Sequence, residues 1–340
     1  MSSKRNLVSV VIPVRNGERF IGKTLASALA QTHQDVEVLV VDDGSTDGTR
    51  NLVQTAAARD KRVRLLQNDK IGVATARNYG IGKAQGELIA PLDGDDLWHP
   101  RKIARQVEVL TAANAAVGLV YCWSIPIDEN DIVIPPLGKL EVQSNHEGRV
   151  TEELAKINFL SNASTPLIKR FFIDAVGGYD AALSPAGAAD WKFYLAISEV
   201  CDFVLVPDYL VGYRQSRESM SRNIAAMAQS MSFVNCWMTE KWPRLPNEVK
   251  RISAYNAAIY LSRLALEDDQ IGQAVKYRLR AFKARPSAMY ERSTVRFVVS
   301  VAARLFGVRE IIMRRRRRVR IKFDEFPEAL KRFAQYDRTP

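Results

Sequence analysis

Cysteine and histidine are both scarce in this sequence. Its 340 residues include three cysteines and three histidines, all far apart along the chain. The cysteines are odd in number and lack the spacing of metal ligands, which argues against a disulfide framework and against a zinc site. The histidines are too scattered to form a metal cluster. We therefore expect reduced thiols in the core of a cytoplasmic protein.

Long apolar runs are also missing. No stretch approaches the roughly 20 apolar residues that a membrane-spanning helix needs. The first six residues are polar and lead directly into a strand-like run, without the pattern of a secretory signal. The composition, 47% hydrophobic and 26% charged, is that of a globular protein. These features predict a cytoplasmic location.

The net charge of +11 is spread unevenly. From Arg222 onward there are 25 Lys and Arg residues against 11 Asp and Glu, whereas the first 221 residues carry 24 against 27. The basic character therefore belongs to the C-terminal region and says little about the chemistry of the first part.

One short stretch joins an apolar run to three carboxylates. Residues 88–92 are typical of a buried parallel strand, and Asp93, Asp95 and Asp96 follow at once, with Gly94 allowing a sharp bend. Ligands of open α/β sheets bind beyond the carboxyl ends of the strands. Neighbouring carboxylates repel one another unless a cation compensates, and hard divalent cations prefer oxygen ligands. The stretch predicts a metal–diphosphate site, with a solvated acidic turn as the alternative.

Strands and helices alternate through the first part of the chain. Apolar runs at 8–14, 36–41 and 63–66 predict strands, and segments 18–31 and 71–84 predict helices. Ser45 or Thr46 is expected to cap the helix that follows the second strand. This alternation predicts βαβ units and a parallel sheet. The acids after three of its strands should then meet at one edge: Glu18, Asp42, Asp43, Asp93 and Asp95.

Four motifs resemble those of the family 2 glycosyltransferases of GT-A fold. They are residues 9–16 (SVVIPVRN), 41–47 (VDDGSTD), 76–80 (ARNYG) and 92–96 (LDGDD), within a resemblance over residues 7–222. The resemblance implies an α/β fold of GT-A type, which has a Rossmann-like, mostly parallel sheet with helices on both faces, followed here by an α-helical region. We expect a GT-A domain over 1–222 and a helical region over 223–340, with a basic amphipathic segment at about 294–322.

The resemblance also implies a reaction and a donor site. The reaction is transfer of a sugar, with inversion, from a nucleotide-sugar (UDP by default), with Mg²⁺ or Mn²⁺ as cofactor. A dication stabilises the negative charge that develops on a diphosphate leaving group. By resemblance, Asp95 binds the metal, and Asp93 contacts the ribose or a metal-bound water. The residues expected to contact the nucleotide-sugar are Pro13, Arg15, Glu18, Asp42, Asp43, Arg77, Asp93 and Arg214.

Several of these residues also have plainer interpretations. Asp-Gly-Ser sequences such as the one after Asp42 form turns in many proteins. Arg77 could be an ordinary solvated arginine. Asp96 could cap the helix that starts near Pro100. Near Arg214, Ser216 stands where many relatives have a histidine, so metal coordination is expected to rest on Asp95, the phosphates and water. Arg217 is a second candidate for phosphate contact.

An inverting transfer needs a general base for the acceptor hydroxyl. The family places it after a Gly-Gly-Tyr-Asp element, which here is residues 177–180, and Asp190 matches that base. The glutamate that usually precedes it is replaced by Ala189, a departure that weakens the match. A carboxylate at a helix N-terminus is also a common cap.

The C-terminal region reads as helical. Residues 254–281 resemble one helical hairpin of a tetratricopeptide-type repeat, expected to pack on the first domain or on a second protomer of a homo-oligomer. Residues 295–308 are amphipathic and precede five arginines at 314–318. Together they predict adsorption to the anionic inner face of the cell membrane, which would suit a lipid-linked acceptor. A solvated basic helix is the alternative. Binding of nucleic acid is not favoured, because no known nucleic-acid-binding module accompanies the basic residues.

Three function classes remain open. The leading one is an inverting glycosyltransferase acting on a glycan or lipid-linked acceptor in polysaccharide biosynthesis. A sugar nucleotidyltransferase also has an α/β sheet with an acidic site, but it should carry a glycine-rich phosphate loop that residues 14–19 lack. A non-catalytic scaffold could use the helical basic tail; the joint presence of Asp93, Asp95 and Asp190 argues against it.

Overall fold

A computed structural model describes residues 6–69, 71–134, 145–183, 187–216, 219–306 and 321–325. Arg217 and the arginines at 314–318 therefore lie outside the described residues, as does much of the predicted basic segment. The described part is an α/β unit followed by helices, as the sequence predicts.

The strands within these residues form one mixed sheet. They are β1 (Val8–Val14), β2 (Val36–Asp42), β3 (Val63–Gln67), β4 (Leu88–Pro91), β5 (Leu97–Trp98), β6 (Val117–Ile127), β7 (Leu167–Lys169) and β8 (Asp202–Arg214). Their order in the sheet is β3-β2-β1-β4-β7-β6-β8-β5. The pairs β1–β2, β2–β3, β1–β4 and β6–β8 are parallel, whereas β7 and β5 run antiparallel to their neighbours.

Helices cover both faces of this sheet. In this part of the chain they are α1 (Ile21–Leu29), α2 (Thr49–Arg59), α3 (Val73–Lys83), α4 (Lys102–Ala112), α5 (Thr151–Lys156), α6 (Arg170–Val176) and α7 (Ala189–Val200). Side chains of a strand alternate between faces. Val10 and Ile12 of β1 accordingly belong to the core that includes side chains of α1 and α4, and Val11 belongs to the core that includes those of α3 and α7. All residues of β1 and β2 are buried, which explains their continuous apolar runs.

The predicted elements are confirmed, with two corrections at helix starts. The first helix is shorter than the predicted 18–31. The predicted caps are wrong: α2 has Gly48 at its N-cap and α4 has Arg101. Ser45 instead accepts a hydrogen bond from the backbone N–H of Asn16, and Asp96 is buried inside the sheet edge.

Four further helices follow the sheet: α8 (Ile224–Lys241), α9 (Asn247–Glu267), α10 (Ile271–Ala284) and α11 (Arg292–Leu305). Helices α9 and α10 form the predicted hairpin, and Ser262 Oγ donates to the carbonyl of Ala274 across it at 2.8 Å. The hairpin packs on the first part of the chain, because Val249 of α9 shares a core with Trp191 of α7. Phe297 of α11 packs against α9 and α10.

The outer side of α11 is apolar. Val295, Val298 and Val299 are exposed, and Phe306, directly after the helix, is 81% exposed. These positions recur at helical spacing on the side opposite Phe297. No helix among the described residues is long and apolar enough to cross a membrane.

Candidate functional site

The carboxyl ends of three neighbouring parallel strands place the predicted acids at one edge of the sheet. Val14, the last residue of β1, pairs with Asp42, and the backbone N–H of Asp43 donates to the Val14 carbonyl at 2.8 Å. On the other side of β1, the N–H of Leu92 donates to the carbonyl of Val11 at 3.0 Å. The loops after β1, β2 and β4 therefore leave the sheet on the same side.

The loop after β1 is tied to the start of α2. Pro13 is buried within β1, whereas Arg15 and Glu18 are exposed. The Glu18 carboxylate accepts a hydrogen bond from the backbone N–H of Gly48 at 2.6 Å. Glu18 is thus held at a helix N-terminus, where a carboxylate is favoured by the helix dipole.

Asp42 and Asp43 are both buried and already have protein partners. Asp42 accepts from Ser45 N–H and from Arg50 Nε, the latter at 2.5 Å. Asp43 accepts from the backbone N–H of Gly72 at the start of α3, and from Asn68 Nδ2 at 2.9 Å. These bonds fix how the loop after β2 meets α3.

Arg77 of α3 forms an ion pair with Asp93. Its guanidinium Nη2 lies 2.5 Å from Asp93 Oδ1, and the Arg77 side chain is almost fully buried. Burial alone would disfavour its charge, but the charges of Asp93 and Asp190 outweigh this and raise the pKa of Arg77. Arg77 is therefore a fixed cation between the acidic stretch and Asp190, and not a solvated surface arginine.

The three acids of the stretch 93–96 have different surroundings. Asp96 is fully buried; it accepts from Ser164 Oγ at 2.6 Å and from the backbone N–H of Arg214 at 2.8 Å. Burial, followed by the charges of Asp95 and Asp93, raises the pKa of Asp96 well above its usual range. Asp96 therefore ties the stretch to the rest of the fold and does not face a ligand.

Asp95 is the open acid of the stretch. It is half-buried, and its carboxylate accepts no hydrogen bond from any other residue that the structure describes. Burial and the neighbouring charge of Asp93 raise the pKa of Asp95 to about 7, although Arg214 opposes this. A carboxylate destabilised by a like charge favours a bound cation. Asp95 and Asp93 therefore suit the metal role that the resemblance implies.

These acids do not complete a metal site by themselves. Among the described residues, no group of three or more His, Cys, Asp or Glu side chains is placed to hold a metal ion. Asp96 cannot join Asp93 and Asp95 as a ligand, because both of its carboxylate oxygens already accept hydrogen bonds, from Ser164 and from Arg214. A cation held here would take its remaining ligands from outside the protein.

Arg214 supports the acidic stretch from behind. Its side chain is fully buried, and its guanidinium donates to the carbonyls of Asp95 and Asp128, both at 2.6 Å, and to Asp131 at 2.7 Å. The guanidinium also lies 4.5 Å from the ring centroid of Phe20. The predicted contact with a donor phosphate does not fit this geometry, because every guanidinium nitrogen already binds the protein.

Asp190 lies in the first turn of α7, facing Arg77 and Asp93. It is half-buried, and Asn158 Nδ2 donates to its Oδ2 at 3.4 Å. Burial raises the pKa of Asp190; the positive charge of Arg77 acts against the rise and the charge of Asp93 adds to it. The structure thus brings Asp190, Arg77 and Asp93 into one electrostatic cluster. Asp95 adjoins it through Asp93.

A two-point contact fixes the Gly-Gly-Tyr-Asp element against α3. Asn78 Nδ2 donates to the carbonyl of Tyr179 at 2.7 Å, and the N–H of Tyr179 donates to Asn78 Oδ1 at 2.8 Å. Gly178 has a φ of +77°, and a Cβ there would lie 2.6 Å from Asn78 Oδ1. The contact requires a glycine, and it places the Tyr179 ring 5.2 Å from the Arg77 guanidinium.

Three buried polar atoms of this cluster have no hydrogen-bond partner in the described structure. They are Arg77 Nε, Asn158 Oδ1 and Tyr179 Oη. Buried polar groups are nearly always paired, and leaving them unpaired is costly. Their position beside Asp190 is what a site that binds a polar ligand requires.

Sequence reasoning did not identify Asn158 or Ser164 as parts of the site. Neither belongs to one of the four motifs, and each approaches its partner from more than 30 positions away along the chain. Tyr179 carried a signal, because it lies in the Gly-Gly-Tyr-Asp element, but no role followed from it.

Comparisons with known proteins identify the family that the first part of the chain matches. Residues 9–173 match the family model described as Glycosyl transferase family 2. An uncharacterized glycosyltransferase of Rickettsia typhi is 30% identical over 195 residues, which is 57% of this chain and 60% of that protein. The putative teichuronic acid biosynthesis glycosyltransferase TuaG of Bacillus subtilis is 38% identical over 117 residues, 34% of this chain and 46% of that protein. The chain thus spans about half the length of these relatives.

Two solved structures share the fold. The mannosyltransferase PcManGT of Pyrobaculum calidifontis, in complex with GDP-Man and Mn²⁺, has a TM-score of 0.57 and 19% identity, covering 89% of this chain and 88% of that chain. S. aureus TarS in complex with UDP-GlcNAc has a TM-score of 0.52 and 14% identity, covering 84% of this chain and 93% of that chain. The predicted α/β fold class of GT-A type is confirmed.

Proposed function

We propose that this chain, whose residues 9–173 belong to glycosyl transferase family 2, is a metal-dependent, inverting glycosyltransferase. Its donor is a nucleotide-diphosphate sugar, and its acceptor is a hydroxyl of a glycan or of a lipid-linked sugar. The observation that carries this proposal is that the buried cation Arg77 pairs with Asp93 and also feels the charge of Asp190, to which the proposal assigns separate roles. The division into a transferase domain (1–222) and a helical region (223–340) is part of the proposal.

The donor side lies at the ends of β1, β2 and β4. Asp95, with Asp93, would hold Mg²⁺ or Mn²⁺, which when bound stabilises the negative charge on the leaving diphosphate. The base and ribose would contact the edge formed by Pro13, Arg15 and Glu18, with Asp42 and Asp43 shaping its floor. Arg214 would act by positioning, because it fixes the carbonyl of Asp95.

The acceptor side is organised around Asp190. Its carboxylate would take the proton from the acceptor hydroxyl while that oxygen bonds to the anomeric carbon and the bond from this carbon to the diphosphate oxygen breaks. The acceptor would attack from the face opposite the leaving group, which inverts the configuration. Burial raises the pKa of Asp190, and a more basic carboxylate is a better proton acceptor. Asn158 would orient it through the bond to Oδ2.

The exposed side of α11 supports a membrane role. Between residues 271 and 306 there are eight Lys and Arg residues against one Glu. An exposed apolar stripe flanked by basic residues suits the surface of an anionic bilayer, where apolar area and charge both contribute to binding. A lipid-linked acceptor would reach the site at that surface.

The proposal is tested by metal-dependent nucleotide binding. Because the two solved neighbours hold UDP-GlcNAc and GDP-Man, both nucleotides belong in the assay. We expect UDP or GDP to raise the unfolding temperature of the full chain in the presence of Mn²⁺, and to lose this effect with EDTA. Asp95→Ala should abolish the Mn²⁺-dependent part, whereas Asp174→Ala, an exposed acid of α6, should not. If no nucleotide stabilises the protein with Mn²⁺, the enzyme proposal fails.

A further inference from the structure

Helix α9 presents one polar stripe whose two ends are fixed beside the site. Asn256, Tyr260, Arg263 and Glu267 follow one another at spacings of four, three and four residues, so they share one face of the helix. Arg263 and Glu267 lie outside the core that Leu261 and Leu264 form, whereas the Tyr260 ring is partly buried and packs against that core.

The N-terminal end of the stripe is anchored next to Asp190. Asn256 Nδ2 donates to the backbone carbonyl of Lys156, the last residue of α5, at 3.0 Å. Two residues further along the chain, Asn158 donates to Asp190. The same short segment thus binds α9 on one side and Asp190 on the other.

The C-terminal end of the stripe is anchored to the turn after β8. Glu267 accepts from Arg222 Nη1 at 2.7 Å, and Arg222 also lies 3.7 Å from Asp268. Arg222 follows β8, whose last residue, Arg214, fixes the acidic stretch. Helix α9 therefore extends from the segment that binds Asp190 to Arg222, eight residues after the end of β8.

Tyr260 and Arg263 lie between these anchors. Tyr260 is half-buried, and the Arg263 guanidinium lies 5.6 Å from its ring centroid while remaining 59% exposed. The only acid within ion-pair range of Arg263 among the described residues is Glu267, at 3.9 Å, and Arg222 already binds that carboxylate more closely. Burial raises the pKa of Tyr260; the positive charge of Arg263 acts against this rise and the charge of Asp190 adds to it. A partly exposed aromatic ring and an open guanidinium therefore lie side by side on α9, within two turns of the contact between Asn256 and Lys156.

We propose that Tyr260 and Arg263 form the acceptor subsite, for a sugar that bears a negatively charged group. This inference rests on the proposed transferase function, because Asp190 marks the position of the reacting hydroxyl only if it is the base. The part of the Tyr260 ring that the core leaves exposed offers a partly apolar surface for a sugar ring. The Arg263 guanidinium offers paired donors for a carboxylate or a phosphate. The helical region thereby selects the acceptor, while the sheet binds the donor.

The test measures binding of three small glycosides to the full chain in the presence of UDP or GDP and Mn²⁺. They are methyl β-D-glucoside, methyl β-D-glucuronide and methyl β-D-glucoside 6-phosphate, which differ in charge but share the ring. We expect a charged glycoside to bind the native chain about tenfold more tightly than the neutral one, the scale of a hydrogen bond to a charged group. Preference for the glucuronide or for the phosphate identifies the anion.

Variants separate the two side chains. Arg263→Ala should remove the tenfold preference and leave the neutral glycoside unaffected, whereas Tyr260→Ala should weaken all three by about fivefold and Tyr260→Phe should not. Arg251→Ala is the matched control, because Arg251 is exposed on α9 but lies 12 residues from Arg263, on another face.

The outcomes distinguish this inference from the function on which it rests. If Mn²⁺ and nucleotide do not stabilise the native chain, the proposed function fails. If they do, but the three glycosides bind equally or not at all, or Arg263→Ala keeps the native preference, the acceptor subsite is refuted. Nucleotide-induced stabilisation should be the same in every variant, which shows that each one folds.

Discussion

The acidic stretch makes the metal-free protein sensitive to pH in a way that Asp95→Asn should remove. Asp95 has a pKa of about 7 in the folded chain, against 3.8 for the isolated group. A carboxylate whose pKa is higher in the folded state stabilises the fold at low pH, and this contribution is lost as the pH rises from about 4 to about 7. At about 1.4 kcal/mol for each unit, the upper value is about 4 kcal/mol. Because Asp95 is partly open to water, we expect about 2 kcal/mol.

The assay is urea unfolding with EDTA at several pH values between 4 and 8. The free energy of unfolding of Asp95→Asn should match that of the native chain near pH 4 and exceed it by about 2 kcal/mol at pH 7.5. Addition of Mn²⁺ should then reverse the order, because only the native chain binds the ion. A concentration of 100 times the dissociation constant stabilises by about 2.7 kcal/mol.

Two results would contradict this reasoning. One is a free energy of unfolding that depends on pH in the same way for the native chain and for Asp95→Asn. This would mean that the pKa of Asp95 is the same in the folded and the unfolded chain. The other is equal stabilisation of both proteins by Mn²⁺. Asp174→Asn, in an exposed acid of α6, provides the control and should follow the native profile.

Three further predictions concern the base and its supports. Asp190→Asn should lower transfer by about 10²-fold or more while nucleotide binding is unchanged; product formation at the native rate would assign the base elsewhere. Asn78→Ala removes both bonds to the Tyr179 backbone and should cost about 2–3 kcal/mol in urea unfolding; unchanged stability would show that this contact is dispensable. Gly80→Ala places a Cβ 2.5 Å from a side chain of β1 and should cost about 1–3 kcal/mol, whereas Gly82→Ala meets nothing within 4 Å and should not destabilise.

The sheet could be predicted from the sequence because its strands are buried on both faces. Residues 8–14 form a continuous apolar run and are β1 as predicted, with every residue buried. The order of acids at one edge followed from the parallel arrangement. The helix caps were less predictable. Serine is a common N-cap residue, but the hydroxyl of Ser45 accepts a hydrogen bond from the backbone N–H of Asn16 in the neighbouring loop.

Site residues that belong to a sequence motif could be predicted, whereas those that only the tertiary fold brings to the site could not. Asp190 and Arg77 belong to motifs, and the structure places them together. Arg214 is also next to a motif, yet it is buried among backbone carbonyls that no local pattern reveals. Tyr260 approaches Asp190 only because α9 folds back over α5, 100 positions away along the chain.

The strand order has a consequence for synthesis on the ribosome. The stretch 93–96 lies between β4 and β5, and these strands pair with β7 and β8, which are translated much later. Such distant pairings form late, because closing a long loop costs entropy. A nascent chain that ends before β7 therefore holds β4 through β1 alone, and Asp96 still lacks its bonds from Ser164 and Arg214. The proposed cation site therefore gains the support of Arg214 behind Asp95 only after translation has passed β8.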